Sequence, residues 1–224
     1  MASLILIILL SVIIYFISRS QNETDPEPVR RQKLAALAKK LQLQFNSNND
    51  FKLAEKFSLL TWLQHGEVRY AYNVFHGYFS AEYLVTIFDY HFSVPGGKSA
   101  SDYYWSAYVL EMKTNFPDTL INHESLESRI GELLGGPHIS FESAEFSRNF
   151  RVRSADKQFA FDVCNPRMME YLLANKDLTI QVNGPDLAVL FEDWLRPEKV
   201  ERNLSRLIQI RKLLPDYLFE KSKR

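Results

Sequence analysis

The chain has 224 residues, in which 27 Lys and Arg balance 27 Asp and Glu, and a single cysteine. Zero net charge removes the broad positive field that electrostatic nucleic-acid binding requires, and a lone thiol excludes an internal disulfide framework. An apolar share of 46% with only 8 Gly and 9 Pro is the composition of an ordered globular protein, long enough for one sizeable domain with appendages.

The N-terminus reads LILIILLSVIIYFI from Leu4 to Ile17. With its uncharged flanks this stretch makes about 25 Å of helix, somewhat short of a hydrocarbon core of about 30 Å. A cleaved signal peptide is the competing reading, because Ser18-Arg19-Ser20 resembles a small-x-small processing site. No basic residue precedes the apolar run, however, whereas Arg19, Arg30, Arg31 and Lys33 follow it, and the positive-inside bias keeps such a flank in the cytoplasm. The expectation is a transmembrane anchor at residues 1–18, a polar juxtamembrane linker at 19–28, a single domain at 29–219 facing the cytoplasm, and a charged tail at 220–224.

Pro28 opens a helix whose apolar stripe is Leu34, Leu37, Ala38 and Leu41, spaced i, i+3, i+4, i+7. NSNND at 46–50 is a turn cluster, and 51–63 mixes helical spacing with strand-forming residues. Val68–Tyr78, Ala81–Val94 and Asp102–Met112, rich in Tyr, Phe, Val and Ile, predict an antiparallel meander. If the VPGGKSAS loop pairs Ser93 with Asp102, then Phe88, Tyr90 and Phe92 share a core face with Tyr103, Trp105, Ala107 and Val109. Leu126–Leu134 reads as a helix stopped by Gly135-Gly136-Pro137, and Pro166 begins another that runs to about Ala174. Leu178–Val182 and Leu187–Phe191 flank Asn183-Gly184-Pro185-Asp186 as a second hairpin. Pro197 opens a last helix burying Val200, Leu204, Leu207, Ile208 and Leu214, with Arg202, Arg206, Arg211 and Lys212 pointing mostly elsewhere. Together these elements predict an α+β fold, a largely antiparallel sheet with amphipathic helices on one face, preceded by one N-terminal transmembrane helix.

The sequence carries little chemistry. PGGKS lacks the first glycine of a phosphate-binding P-loop, since Phe92 stands five residues before Gly97. Five scattered histidines show no metal-ligand spacing, so neither a metal nor any other cofactor is expected. Cys164 reads as a small buried apolar group. One constellation remains: Asp89 and His91 fall on the face opposite the aromatic ladder, across from Tyr104, Ser106 and Tyr108, where a carboxylate could orient an imidazole as a general base. The competing reading is the wetter face of a half-covered sheet.

FDYHF at Phe88–Phe92, the Gly97-Lys98 pair, FSRNFRVRSADKQFAFDV at Phe146–Val163, NPRMMEYLL at Asn165–Leu173, and the G-P-D and R-P-E triplets resemble an uncharacterised family of bacterial, often membrane-anchored proteins, over Val68 to Pro197. The resemblance implies a bacterial inner-membrane setting and brings no catalytic residue or cofactor. Within it, Phe146 and Phe150 are expected to bury while Arg148, Arg151 and Arg153 turn outward near Asp156 and Asp162, as a structural ion-pair segment or a binding site for an anion or partner. The functional expectation is a non-catalytic binding or scaffolding module, tethered to the membrane, for a protein partner or the anionic inner leaflet, which the basic C-terminal segment would favour. The alternative is a small-molecule hydrolase or transferase using Asp89 and His91.

Overall fold

The computed structural model describes residues 27–96, 100–124 and 138–220. The anchor, most of the linker, the loop around Lys98, the 126–134 helix and the last four residues lie outside the described residues. Among the described residues no helix is long and apolar enough to cross a membrane.

Helix α1 (Glu27–Lys40) carries Pro28 in its first turn and buries Leu34 and Ala38, together with Arg30. After strand β1 (Gln44–Asn46), the region of mixed spacing folds into a one-turn helix α2 (Leu53–Lys56) and a 3-10 turn (Thr61–Gln64). Strands β2 (Glu67–Phe79), β3 (Tyr83–Val94) and β4 (Ser101–His123) form the meander, and β4 continues well past the expected end at Met112. Helix α3 (Ala144–Asn149), strand β5 (Phe150–Ser154), helices α4 (Lys157–Val163) and α5 (Pro166–Leu173), strand β6 (Thr179–Phe191), and helices α6 (Pro197–Leu213) and α7 (Tyr217–Glu220) complete the described order.

Every pairing is antiparallel, in the order β1-β2-β3-β4, with β6 on the other edge of β4. Strand β5 pairs with residues 119–123 of β4, further along the edge that β3 occupies. The β3–β4 register matches the expectation, Ser93 opposite Asp102 and Tyr90 opposite Trp105. A one-residue slip would have carried every aromatic side chain to the opposite face.

Both faces of the sheet are covered, which corrects the expectation of helices on one face alone. Phe88, Tyr90, Phe92, Trp105, Ala107 and Val109 pack beneath α2 and the 3-10 turn, against Phe57, Leu60, Trp62 and Leu63. Gln181 and Asn183 hold this cover down, donating to Thr61 Oγ1 at 3.0 Å and to the Leu59 carbonyl at 2.8 Å. The longer helices α1, α4, α5 and α6 instead cover the face of Val85, Ile87, Tyr108, Leu110 and Val189, where the larger core lies. The side of Asp89 and His91 is therefore not the wetter face.

The expected second hairpin is one continuous strand. β6 runs through Asn183-Gly184-Pro185-Asp186 along β4, with register shifts on either side of the Phe116–Gly184 pair. Gly184 takes φ +55°, and a Cβ there would lie 2.7 Å from Leu59 Cδ1, so a turn-like sequence serves as an irregularity inside a strand. The inward side chains change parity across it: Ile180 and Val182 before, Leu187 and Val189 after, all facing the larger core.

Candidate functional site

Strand β2 bulges twice against β3, and each bulge meets one of the two candidate catalytic residues. The register shifts fall between Glu67 and Tyr70 and between Tyr72 and Phe75, with left-handed residues at Val68 (φ 48°) and Asn73 (φ 49°). Asparagine tolerates this conformation, whereas a β-branched valine is strained in it. Asn73 turns its amide onto Asp89, Nδ2 donating to Oδ2 at 2.8 Å. The Val68 carbonyl accepts from His91 Nδ1 at 3.1 Å.

Asp89 is completely buried. Its Oδ2 accepts from Arg30 Nη1 at 2.8 Å as well as from Asn73, and its Oδ1 accepts from the Leu195 amide at 2.6 Å. Arg30 also donates to the Leu195 carbonyl at 3.0 Å and to Glu27 Oε2 through Nε and Nη2 at 2.9 and 2.6 Å. Burial pushes the Asp89 carboxyl up to about 6, while Arg30, the Asn73 amide and the Leu195 N–H pull the other way. The donors converge on the ionised form, so Asp89 clamps α1 and the segment before α6 onto the sheet. His91 does not share this cluster. Its Nε2 faces Asp102 Oδ1 at 3.0 Å, and its ring stacks on Tyr70 with centroids 4.6 Å apart. The carboxylate that orients His91 is thus Asp102 rather than Asp89, and neither Asp89 nor His91 lines the two cavities described below.

The three candidate arginines do not form one site. Arg148 is exposed on α3, and Arg151 and Arg153 are half-buried on β5, where Phe150 and Val152 alternate inward. Arg151 donates to the Ser147 carbonyl at 2.9 Å and pairs with Glu124. Asp156 is not an ion-pair partner but the cap of α4, its Oδ1 accepting from the amides of Gln158 and Phe159 at 2.9 and 3.1 Å, and Asp162 accepts from Gln158 Nε2. Cys164 is buried, and burial pushes its thiol well above the usual range. Among the described residues no three His, Cys, Asp or Glu side chains gather as a metal site.

An open concave surface lies around residues 192–196, between β6 and α6. A cavity of about 320 Å³ is walled by Trp62, Trp105, Leu190 and Phe191, by Trp194, and by one face of α6 carrying Lys199, Arg202, Asn203 and Arg206. Those four α6 residues follow i, i+3, i+4, i+7 spacing, the single stripe that a helix can present to a cleft. A second cavity of about 680 Å³ shares Trp105, Glu192, Asp193 and Trp194 with the first and is otherwise lined chiefly by Phe92, Tyr103 and Tyr104. The chain's three tryptophans, Trp62, Trp105 and Trp194, all line the smaller cavity.

Three residues that line this cavity each carry a buried donor without a partner: Trp62 Nε1, Trp194 Nε1 and Arg206 Nε. A buried polar group left unpaired costs about 1 to 3 kcal/mol, so three among the residues lining one cavity is a concentrated expense. Arg206, 6% exposed, is held in place by Asp177, to which Nη1 donates at 2.9 Å and Nη2 also binds. Its burial overturns the expectation that it points away from the protein. The cavity lining includes five cationic side chains, Lys176, Arg196, Lys199, Arg202 and Arg206, and three carboxylates, Asp177, Glu192 and Asp193.

No family model and no curated protein matches this sequence. One solved structure shares the fold. It is the crystal structure of the mycobacterial trehalose monomycolate transport factor A, TtfA, similar at a TM-score of 0.57 over 83% of this chain and 96% of that one, with 13% identity. At that identity the likeness to TtfA is one of α+β architecture alone. The cavity residues were missed in the sequence because they come from four separate stretches with no local motif. The available signal was the α6 stripe Lys199, Arg202, Asn203 and Arg206, spaced i, i+3, i+4, i+7 in the sequence.

Proposed function

We propose that the protein is a membrane-tethered binding module with no catalysis of its own, held by residues 1–18 in a bacterial inner membrane with the folded part in the cytoplasm. One observation carries the reading: Asp89 is locked by Arg30, Asn73 and Leu195 outside the two cavities described above, while those cavities present indole and phenol rings and α6 cations. Such a surface recognises and holds a ligand; it offers no paired nucleophile and base.

The test uses the full-length chain. Fused at its C-terminus to alkaline phosphatase, it should sediment with membranes and give no periplasmic phosphatase activity; strong activity would overturn the orientation. Purified protein should show no turnover of nitrophenyl ester or phosphate substrates that depends on Asp89 or His91. Turnover lost in both Asp89→Asn and His91→Gln, with melting temperature retained, would establish the hydrolase instead.

A further inference from the structure

The unpaired groups in the smaller cavity are all of one kind. Trp62 Nε1, Trp194 Nε1 and Arg206 Nε are donors, and no buried acceptor in its lining lacks a partner. A ligand that completes this cavity must therefore bring acceptors. The three donors come from three elements, the 3-10 turn, the 192–196 segment and α6, so a ligand that meets all of them needs at least three acceptor positions. That suits the several terminal oxygens of a tetrahedral oxyanion better than the two coplanar oxygens of a carboxylate. Charge agrees: five cations against three carboxylates leave an excess of two, and a phosphate monoester carries about −1.5 to −2 at neutral pH. Asp177 occupies both terminal nitrogens of Arg206 and so fixes the direction of its remaining Nε–H.

The larger cavity has a different character. Phe92, Tyr103, Tyr104 and Trp105 dominate its wall, its charged residues are Asp102, Glu192 and Asp193 with neither Lys nor Arg, and Trp105 and Trp194 belong to both cavities. Cationic and aromatic spaces side by side match a ligand with an anionic end and an apolar body. Glu27, the first described residue, binds Arg30, and the Arg30 guanidinium carbon lies 5.6 Å from the centroid of the Trp194 ring.

We propose that the paired cavities bind an anionic amphiphile, its phosphate monoester head among Trp62, Trp194 and Arg206 and its body against Phe92, Tyr103 and Tyr104, drawn from the membrane to which the chain is tethered. The membrane as the source rests on the tether reading; the chemistry of head and body rests on the cavities alone.

The three cavity tryptophans are the only ones in the chain, so intrinsic tryptophan fluorescence reports on this site directly. Full-length protein in neutral detergent micelles would be titrated with dioctanoyl phosphatidate, dioctanoylglycerol and glycerol 3-phosphate. Phosphatidate should give a saturable spectral change, dioctanoylglycerol none, and glycerol 3-phosphate one at least about tenfold weaker, as expected when the apolar body adds contact area. Replacing the exposed Lys199 and Arg202 together with Ala should weaken phosphatidate about tenfold at unchanged melting temperature, because it removes the excess charge. Trp62→Phe, which keeps a ring and deletes one donor, should weaken it about fivefold. Equal binding of dioctanoylglycerol, or indifference to the Lys199/Arg202 change, would overturn the anionic head. Glycerol 3-phosphate binding as tightly as phosphatidate would overturn the amphiphile in favour of a soluble phosphate monoester. No saturable change with any probe would overturn the whole inference. Failure of the tether would appear separately, as full-length protein absent from the membrane fraction, and leaves the titration readable.

Discussion

The Arg30–Asp89 cluster and the Trp62–Arg206 cavity both engage the same short segment before α6, yet they handle polarity in opposite ways. Leu195 turns its amide and carbonyl into the cluster, where each guanidinium nitrogen of Arg30 finds an oxygen and only one acceptor, Asn73 Oδ1, is left over. Trp194, its immediate neighbour, lines a space in which three donors are left over. The first arrangement is closed and needs nothing further. The second is stable only because the surrounding fold carries its unpaired groups, which is the usual mark of a place reserved for something else. Charge alone does not separate them, since both contain a buried arginine paired with an aspartate; hydrogen-bond balance does.

The largest expected effect comes from breaking the closed cluster. Asp89→Ala removes the acceptor shared by Arg30, the Asn73 amide and the Leu195 N–H and should lower unfolding free energy by about 3 to 5 kcal/mol in urea titration, whereas Arg30→Met with Asp89→Leu should recover part of that loss because neither member of the buried ion pair remains. A loss under about 1 kcal/mol for the single change would mean that the cluster does not clamp α1.

A second buried carboxylate sharpens the contrast. Asp186 lies directly opposite Glu111 in the sheet, and burial first, then the charge of Glu111, pushes its carboxyl up to about 6. The folded state therefore holds its proton more tightly than the unfolded chain does. Stability from this group is full below its unfolded value of 3.8 and is lost as pH rises through about 6. Asp186→Asn should accordingly stabilise the protein by up to about 3 kcal/mol at pH 8, with the gain vanishing near pH 4 in paired melts. A gain that persists at pH 4 would point to a cause other than charge.

Smaller effects test the open region and the bulges. Trp62→Phe should cost only about 1 kcal/mol without ligand, because the volume lost from the ring is partly offset by deleting an unpaired donor. A cost near that of a whole aromatic core deletion, about 3 to 5 kcal/mol, would show that the indole N–H is satisfied after all. Val68→Gly should leave stability unchanged or raise it by about 1 kcal/mol, since glycine adopts a φ of 48° without the strain of a β-branched side chain.

Short-range pattern was legible wherever neighbours in sequence are neighbours in space. The Ser93–Asp102 register followed from alternation on two strands joined by a short loop, and the helices opened by Pro166 and Pro197 followed from apolar spacing and the proline itself. The G-P-D triplet misled for a related reason. Glycine at positive φ serves a turn and a strand irregularity equally well, and only the long partner β4 running past both halves decides between them.

Which face of the sheet would be covered, and by what, depended on contacts across the chain. Asp89 and His91 were identified as a pair two residues apart, but their partners are Arg30, 59 residues away, Leu195, 106 away, and Asp102 across the hairpin. The cavity is more remote still, combining the 3-10 turn, strands β4 and β6, the segment after β6 and α6. The sequence by itself determined the period of each element, its apolar side and the local pairing, because these are set by steric and hydrophobic preferences of adjacent residues. The tertiary structure alone decided which polar groups would be paired and which left unpaired, because hydrogen-bond satisfaction is settled only when distant segments compete for the same donors and acceptors.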